Sequence, residues 1–479
     1  MFKLLKNILQ KKITKDFLIY GFGSMAVSMS SFLLLPIYIR SMSIEEYGLL
    51  SIVLAIPIFL NPLISLSLEG TVIRFYYEWK KKKILKKSIF SIWLFMLIWG
   101  AFISCILLFP FKNIFQFFVQ SVDYNPFLII IIIITYLNIT YNFVGKILRA
   151  KEDAKSFVFI SILSTILKLL LIIFFVSFLK LESLGALYGI LISDIIMFFI
   201  CVIIVLKNIE PSFYFPSFKE VLFFVLPSLP GLFLINFGVI ADRFLLDKFF
   251  NQTEIGIYSL SIKIASLSLV ILTVFQLVII PYYVKIHERS DGINKINLIN
   301  KLAVNIFFII SIFIVLFVPE IGFVLGKEMD SNIFQIIALV ASAYFFQILL
   351  FIPNIQFYLS KKLIYLTYSV IFQISSFFFL SFLMIPNYGL NGLAFAFLVS
   401  NILVLSINSY FGNNVYPLNN SKVVFFSILD IVFLILVFIY SKNIVEISFN
   451  SFLIKSVFIS FCIFLFFKKL TKLFLLKHV

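Results

Sequence analysis

The sequence predicts an all-α polytopic membrane protein of about fourteen transmembrane helices, built as two parallel six-helix lobes plus two additional C-terminal helices. Three observations lead there: composition, the spacing of apolar runs, and an internal repeat. Hydrophobic residues make up 62% of the 479 positions and charged residues only 13%. Mean hydropathy is +1.12. Sixty-four Phe side chains cannot be hidden in a soluble core behind so little charge, so the solvent for this chain is lipid.

Apolar runs of about 20 residues, each the hydrocarbon thickness at helical rise, recur from end to end. In order they fall at 17–39, 47–68, 84–109, 127–144, 157–179, 184–206, 223–247, 255–279, 302–318, 333–352, 363–385, 388–410, 421–441 and 449–467. The first follows a basic stretch, MFKLLKNILQKKITK, that has the look of a secretory leader. Its apolar run is too long for a leader and ends without a small-residue cleavage site, so it is read as a retained span. The second run contains Pro57 and Pro62, and the seventh opens with Pro227, Pro230 and Gly231. Proline removes a backbone donor and clashes with the preceding turn, so both helices are expected to kink. The sixth and twelfth runs carry the small-residue pairs Gly185/Gly189 and Gly392/Ala396, which permit close helix packing.

The repeat organises the first twelve runs. SIEEYGLLS at 43–51 parallels NQTEIGIYS at 251–259, and LGALYGILIS at 184–193 parallels NGLAFAFLVS at 391–400. Nearly the same step recurs at two separated places. It maps the first run onto the seventh, an even number of spans, which preserves orientation and makes the two lobes parallel repeats. The expected division is 1–210, 211–415, and a C-terminal pair of helices with a basic tail at 416–479.

Most of the 39 Lys and Arg residues lie in alternate connections, with Lys80–Lys83 as the densest cluster. The positive-inside rule then places both termini in the cytoplasm, in agreement with an even number of spans. The same rule accounts for the net charge of +17 without nucleic acid as a partner. Three cysteines in apolar runs and two histidines leave no basis for a disulfide or a Cys/His metal site. Neither GFGS at 21–24 nor GFVLGKE at 322–328 meets the spacing of a phosphate-binding loop. No connection is long enough for a folded extramembrane catalytic domain, so no cofactor and no enzymatic activity are expected.

The informative residues are ionisable groups inside spans, where isolated charge is costly and tends to face a cavity. Lys168, Asp194, Lys263 and Asp430 lie within runs, and Glu69 and Arg74 flank the end of the second. In GVIADRFLLDKFF at 238–250, Lys248 maps by the repeat onto Arg40, and both mark helix exits. Asp242 and Arg243 map onto Leu34 and Leu35, roughly 8 Å further in at helical rise. Arg243 and Asp247, four apart, share a helix face. Asp242 points about 100° away and needs another partner.

Together LPIYIRSMSIEEYGLLS, LEGTVIRFYYE and ADRFLLDKFFNQTEIGIYSLSIKIA resemble the polysaccharide-biosynthesis flippases, the Wzx-type members of the MATE-like MOP exporter superfamily. The resemblance implies a bacterial inner-membrane flippase. Its cargo would be an oligosaccharide linked to undecaprenyl pyrophosphate, moved to the outer leaflet for O-antigen, capsule or exopolysaccharide, with polymerase and chain-length proteins as partners. Two lobes would rock about a central cavity, and transport would be coupled to H+ or Na+. A pyrophosphate cannot cross hydrocarbon unaided, and Lys or Arg in a wet cavity replaces its hydration. On that basis Arg40, Lys168, Arg243 and Lys263 are the substrate-binding candidates, and Glu69, Asp194 and Asp242 the ion-coupling candidates. A peptidoglycan-precursor flippase, a cation-coupled drug exporter of the same superfamily and a membrane-embedded polymerase are the alternatives.

Overall fold

The computed structural model describes residues 31–108, 122–326, 331–418 and 421–439, with Met29, Lys455, Ser456 and Ser460. The basic N-terminus, the GFGS stretch, the start of the first predicted span, Lys112, and most of the fourteenth span with its basic tail lie outside the described residues. Among the described residues the chain is helical and no strand occurs. Ten of the described helices are long and apolar enough to cross a membrane. The protein is therefore a multi-pass, all-α membrane protein.

Two compact units form, Met1–Gly256 and Ile257–Val479. The first contains α1 (Leu35–Ser41), α2 (Ile44–Ser65), α3 (Thr71–Lys81), α4 (Leu85–Leu108), α5 (Ile129–Ala150), α6 (Ala154–Ile173), α7 (Glu182–Asn208), α8 (Phe215–Val225) and α9 (Leu229–Phe249). It ends in the first turns of α10 (Gln252–Ala265). Its helices are joined chiefly by α7 on α5 and α6, α2 on α4, α5 and α9, and α8 on α4. Pro57 and Pro62 lie inside α2, and Pro227 sits in the 3-10 turn Leu226–Ser228 that separates α8 from α9. The small-residue pair in α7 packs as expected. A Cβ on Gly189 would stand 2.8 Å from the Ile172 backbone of α6, and one on Gly185 would stand 2.8 Å from the Phe175 carbonyl. The indoles of α4 bind its neighbours: Trp93 donates to Thr140 (3.3 Å) and Trp99 to the Leu63 carbonyl (3.0 Å).

The second unit contains the rest of α10, α11 (Leu267–Ile286), α12 (Gly292–Leu316), α13 (Val318–Leu325), α14 (Ser331–Leu349), α15 (Phe351–Leu359), α16 (Ile364–Val415) and α17 (Ser421–Ile439). The predicted runs at 363–385 and 388–410 are the two halves of α16. Gly389 adopts φ 54° and ψ −133°, a conformation that costs an L side chain dearly and glycine little. The halves fold back on each other: Gln373 donates to Asn401 (3.0 Å) and Ser369 to Asn408 (2.7 Å). The Phe377 and Phe397 rings meet at 6.0 Å. Each residue thus pairs with one about as far beyond the bend as it lies before it. The thirteenth predicted span is α17, which packs on α12 and α14.

Candidate functional site

The repeated SIEE and NQTE motifs are helix starts. Ser43 accepts from the Glu46 amide (3.1 Å) at the head of α2. At the head of α10, Asn251 accepts from the Glu254 amide (2.9 Å) while Glu254 accepts from the Asn251 amide (3.0 Å). The latter is a reciprocal capping box, which satisfies donors that the first helical turn leaves unpaired. These two starts also pack on each other. A Cβ on Gly48 would stand 2.3 Å from the Gln252 carbonyl, and one on Gly256 would stand 2.1 Å from the Ile44 carbonyl. Thr253 donates to Glu45 across the same contact (2.8 Å). Each contact joins residues one repeat step apart or nearly so, so the seam is self-complementary. Only glycine lets the two backbones approach this closely.

Within the first unit, mid-span polar groups of three helices converge. Lys168 of α6 meets Asp194 Oδ1 of α7 at 2.8 Å, with the Lys side chain 30% exposed and the Asp 4%. Asn138 of α5 donates to Asp194 Oδ2 at 2.6 Å and also to the Ile134 carbonyl at 3.0 Å. Each carboxylate oxygen therefore holds one donor, which lets a charge persist in an apolar span. The sequence placed Lys168 and Asp194 in separate roles, whereas the structure makes them partners. The Lys168 ammonium in this pair is partly accessible.

On α9, Arg243 Nη1 lies 3.6 Å from Asp242 Oδ2, with side chains 17% and 19% exposed. Asp242 was expected to need a partner other than Arg243, and the structure instead brings Arg243 itself within ion-pair distance of it. Successive residues diverge on a helix, but the long Arg side chain reaches back across that angle. Arg40 and Lys248 both fall in the last turns of their helices and are exposed. Glu69 lies in the 3-10 turn between α2 and α3, and its buried Oε2 has no hydrogen-bond partner among the described residues. Lys146 of α5 is within electrostatic reach of Glu69. Arg74 pairs with Glu78 at 2.6 Å on the exposed face of α3. Lys263 is half-buried in the last turn of α10 and belongs to the second unit.

The second unit carries two buried polar features of its own. Lys455 meets Glu320 of α13 at 2.8 Å, with side chains 7% and 17% exposed. Asp430 of α17 is 1% exposed; its carboxyl oxygens lack a well-formed hydrogen bond among the described residues, and Ser342 of α14 is the hydroxyl near enough to act on them. One turn before Asp430, Phe426 packs on Phe308 of α12 (5.0 Å), which in turn meets Phe345 of α14 (5.6 Å). Outside the spans, Tyr77 donates to Glu152 (2.8 Å), which holds the phenol above its ordinary range. Lys295 holds the Asp291 carboxyl below the usual carboxylate range.

Sequence reasoning missed Asn138, Glu320 and the pairing of Lys455. Asn138 is uncharged and escaped a search for charges, although the polar side chains of TYLNITYN at 135–142 were a usable signal. Lys146 and Arg149 were read only as loop charges, yet they line a cavity at the end of α5. No group of three or more His, Cys, Asp or Glu residues among those described is arranged to hold a metal ion.

Comparison with known proteins agrees with this architecture. The family described as polysaccharide biosynthesis protein matches residues 13–287, more than half of the chain. An uncharacterized membrane protein of Haemophilus influenzae is 25% identical over 340 residues, 69% of this chain and 80% of that protein. The structure of lipid II flippase MurJ in an inward closed conformation is similar at TM-score 0.71 and 14% identity, covering 95% of this chain and 99% of that one. An inward-facing multidrug resistance MATE family transporter of the MOP superfamily gives TM-score 0.66 and 16% identity, over 80% and 93% of the two chains. The chain belongs to the polysaccharide biosynthesis protein family and has the fold of the MOP-superfamily transporters.

Proposed function

We propose that this protein is a flippase that carries an oligosaccharide linked to undecaprenyl pyrophosphate from the cytoplasmic to the outer leaflet of a bacterial inner membrane. The observation that carries this reading is the presence, in apolar spans of the first unit, of two cations, Lys168 and Arg243, each beside a carboxylate. Family membership supports polysaccharide biosynthesis as the setting.

A pyrophosphate loses strong hydration on leaving water, and charge-assisted hydrogen bonds from Arg or Lys replace it. A cation with no partner is itself costly in a span. Asp194 and Asp242 hold Lys168 and Arg243 between transport events, and the headgroup displaces them. The released carboxylates are then the groups placed to take up H+ or Na+, so cargo and ion exchange at the same cations. Arg40, Lys263 and Glu69 complete the proposed set. A cationic drug would be repelled by Lys168 and Arg243, which disfavours the drug-exporter alternative.

Arg243→Ala is expected to abolish surface-polysaccharide export in a flippase-deficient strain while the amount of protein in the membrane stays at the wild-type level. Arg243→Lys should retain part of the activity, since charge survives and the bidentate fork does not. Full export by Arg243→Ala would remove this residue from the mechanism.

A further inference from the structure

The densest basic cluster in the sequence, Lys80–Lys83, is displayed on a fixed frame. Helix α3 leaves the end of α2 through two left-handed residues, Leu66 and Ser67 (φ 50° and 53°), and packs an apolar face inward. Val72, Phe75 and Trp79 are buried. Phe75 stacks on Trp79 (ring centroids 5.5 Å) and meets Phe224 of α8 edge-on (5.4 Å). Tyr77 donates to Glu152 in the turn between α5 and α6 (2.8 Å). Held at these points, α3 keeps its last turn in one place.

That last turn closes in a Schellman reversal. The Ile84 N–H donates to the Trp79 carbonyl (3.0 Å) and the Lys83 N–H to the Lys80 carbonyl (3.2 Å), with Lys83 at φ 58°. Glycine is the usual residue at this left-handed position, because a side chain is strained there. The helix dipole and the positive-inside rule both favour cations at a helix end of this kind, and Lys80–Lys82 already meet that demand. Neither calls for a lysine at the strained position, so the fourth charge stands there at a conformational cost.

Lys80–Lys83 and Lys86 are exposed, and among the described residues none of them forms a salt bridge. The carboxylates nearby are engaged: Glu78 by Arg74 (2.6 Å), Glu210 by Lys87 (3.4 Å) and Glu152 by Tyr77. Between positions 74 and 87 the chain carries seven basic residues and one acidic residue, so the patch is strongly positive whichever pairs form. Its depth in the membrane follows from α4, whose 24 residues begin at Leu85. At helical rise they span about 36 Å, more than the roughly 30 Å of hydrocarbon. The lysines just before that helix therefore lie level with the lipid headgroups.

We propose that Lys80–Lys83 and Lys86 form a docking surface for the headgroups of anionic phospholipids in the adjoining leaflet. Ammonium groups suit that partner, being compact charges on flexible stems that follow mobile phosphates without a fixed geometry. Ile73 and Tyr77 are exposed on the same face of α3 as Lys80 and Lys81, at helical spacing. They supply the apolar and amphipathic surface that an interfacial helix lays against the acyl boundary. The surface does not depend on the flippase reading, since it holds resident lipid whatever the cargo.

The test uses the full-length protein in detergent micelles, with phosphatidylglycerol and phosphatidylcholine of matched acyl chains as probes. Retention of each lipid is counted by native mass spectrometry. A lysine near an anionic surface contributes about fivefold to binding. The wild-type preference for phosphatidylglycerol is therefore expected to drop at least about tenfold when Lys80, Lys81, Lys82 and Lys83 are all replaced by Gln. Replacement of the same four by Arg keeps the charge and should keep the preference. In the wild type the preference should also weaken steeply as salt is raised, because exposed charges are screened. That titration needs no variant and decides the matter even if the four-Gln protein does not insert. An unchanged preference in the inserted four-Gln protein, or one indifferent to salt, overturns the proposal. So does displacement of phosphatidylglycerol by soluble glycerol phosphate at equal concentration, which would make the ligand a free anion and not a lipid.

Discussion

Lys168→Ala is expected to destabilise the protein by about 3–5 kcal/mol, the cost of breaking a buried ion pair by removing one partner. The Asp194 carboxylate left behind is 4% exposed and keeps Asn138 as its hydrogen-bond donor. Asp194→Ala should cost less, because the Lys168 ammonium is 30% exposed and its long stem can carry the charge toward water. Lys168→Met combined with Asp194→Leu should recover most of the loss, since no charge then remains to be desolvated. Thermal unfolding in detergent orders the four proteins. A Lys168→Ala variant as stable as the wild type would show that the pair does not carry the packing of α5, α6 and α7. Export by the stable double variant then reports on transport separately from folding, and the account expects it to be lost.

Gly256→Val is expected to be the most damaging single substitution at the seam between the heads of α2 and α10. Its Cβ would stand 2.1 Å from the Ile44 carbonyl, a backbone atom that cannot rotate aside. The two helix starts must then separate, with loss of the Thr253–Glu45 hydrogen bond. Overpacking of a well-filled contact costs about 1–3 kcal/mol, and the loss of the solvent-exposed hydrogen bond to Glu45 adds about 0.5 kcal/mol. Thr253→Val alone should show only the second of these effects. Unfolding temperatures measured for both variants check the order, and equal values would mean that close approach is not what the glycine provides.

Hydropathy made the spans legible because each lipid-crossing helix must bury its backbone polarity and show apolar side chains all round. Even the fold-back at Gly389 was visible, as the polar break between the runs at 363–385 and 388–410. The repeat was legible for a different reason: SIEE and NQTE are helix starts, and cap chemistry accepts few residue types. What sits beside what was not legible. An all-apolar span has no polar face to say which side meets a neighbour, so Lys168 and Asp194 were found individually and their pairing was not. The Asp242 expectation failed because helical angle describes where Cβ points and ignores the length of an Arg side chain. Lys146 and Arg149 were hidden by the very rule that assigned orientation, which treats every basic residue near a span end as an anchor.

The two interpretations of Asp194, structural partner and ion-coupling group, share the same geometry. A carboxylate that holds a cation at rest is also the group exposed when an anion takes that cation away. On the proposed mechanism, a single salt bridge in the first unit bears on both stability and transport.

The central claim is that the protein moves a pyrophosphate-linked glycan between leaflets. The purified full-length chain should be reconstituted into liposomes with undecaprenyl-pyrophosphate-linked oligosaccharides confined to one leaflet, and their appearance in the other followed with a membrane-impermeant sugar-modifying reagent. Transfer is expected to depend on the protein and to be lost in Arg243→Ala. Folded, inserted protein that transfers none of the pyrophosphate-linked glycans offered would contradict it.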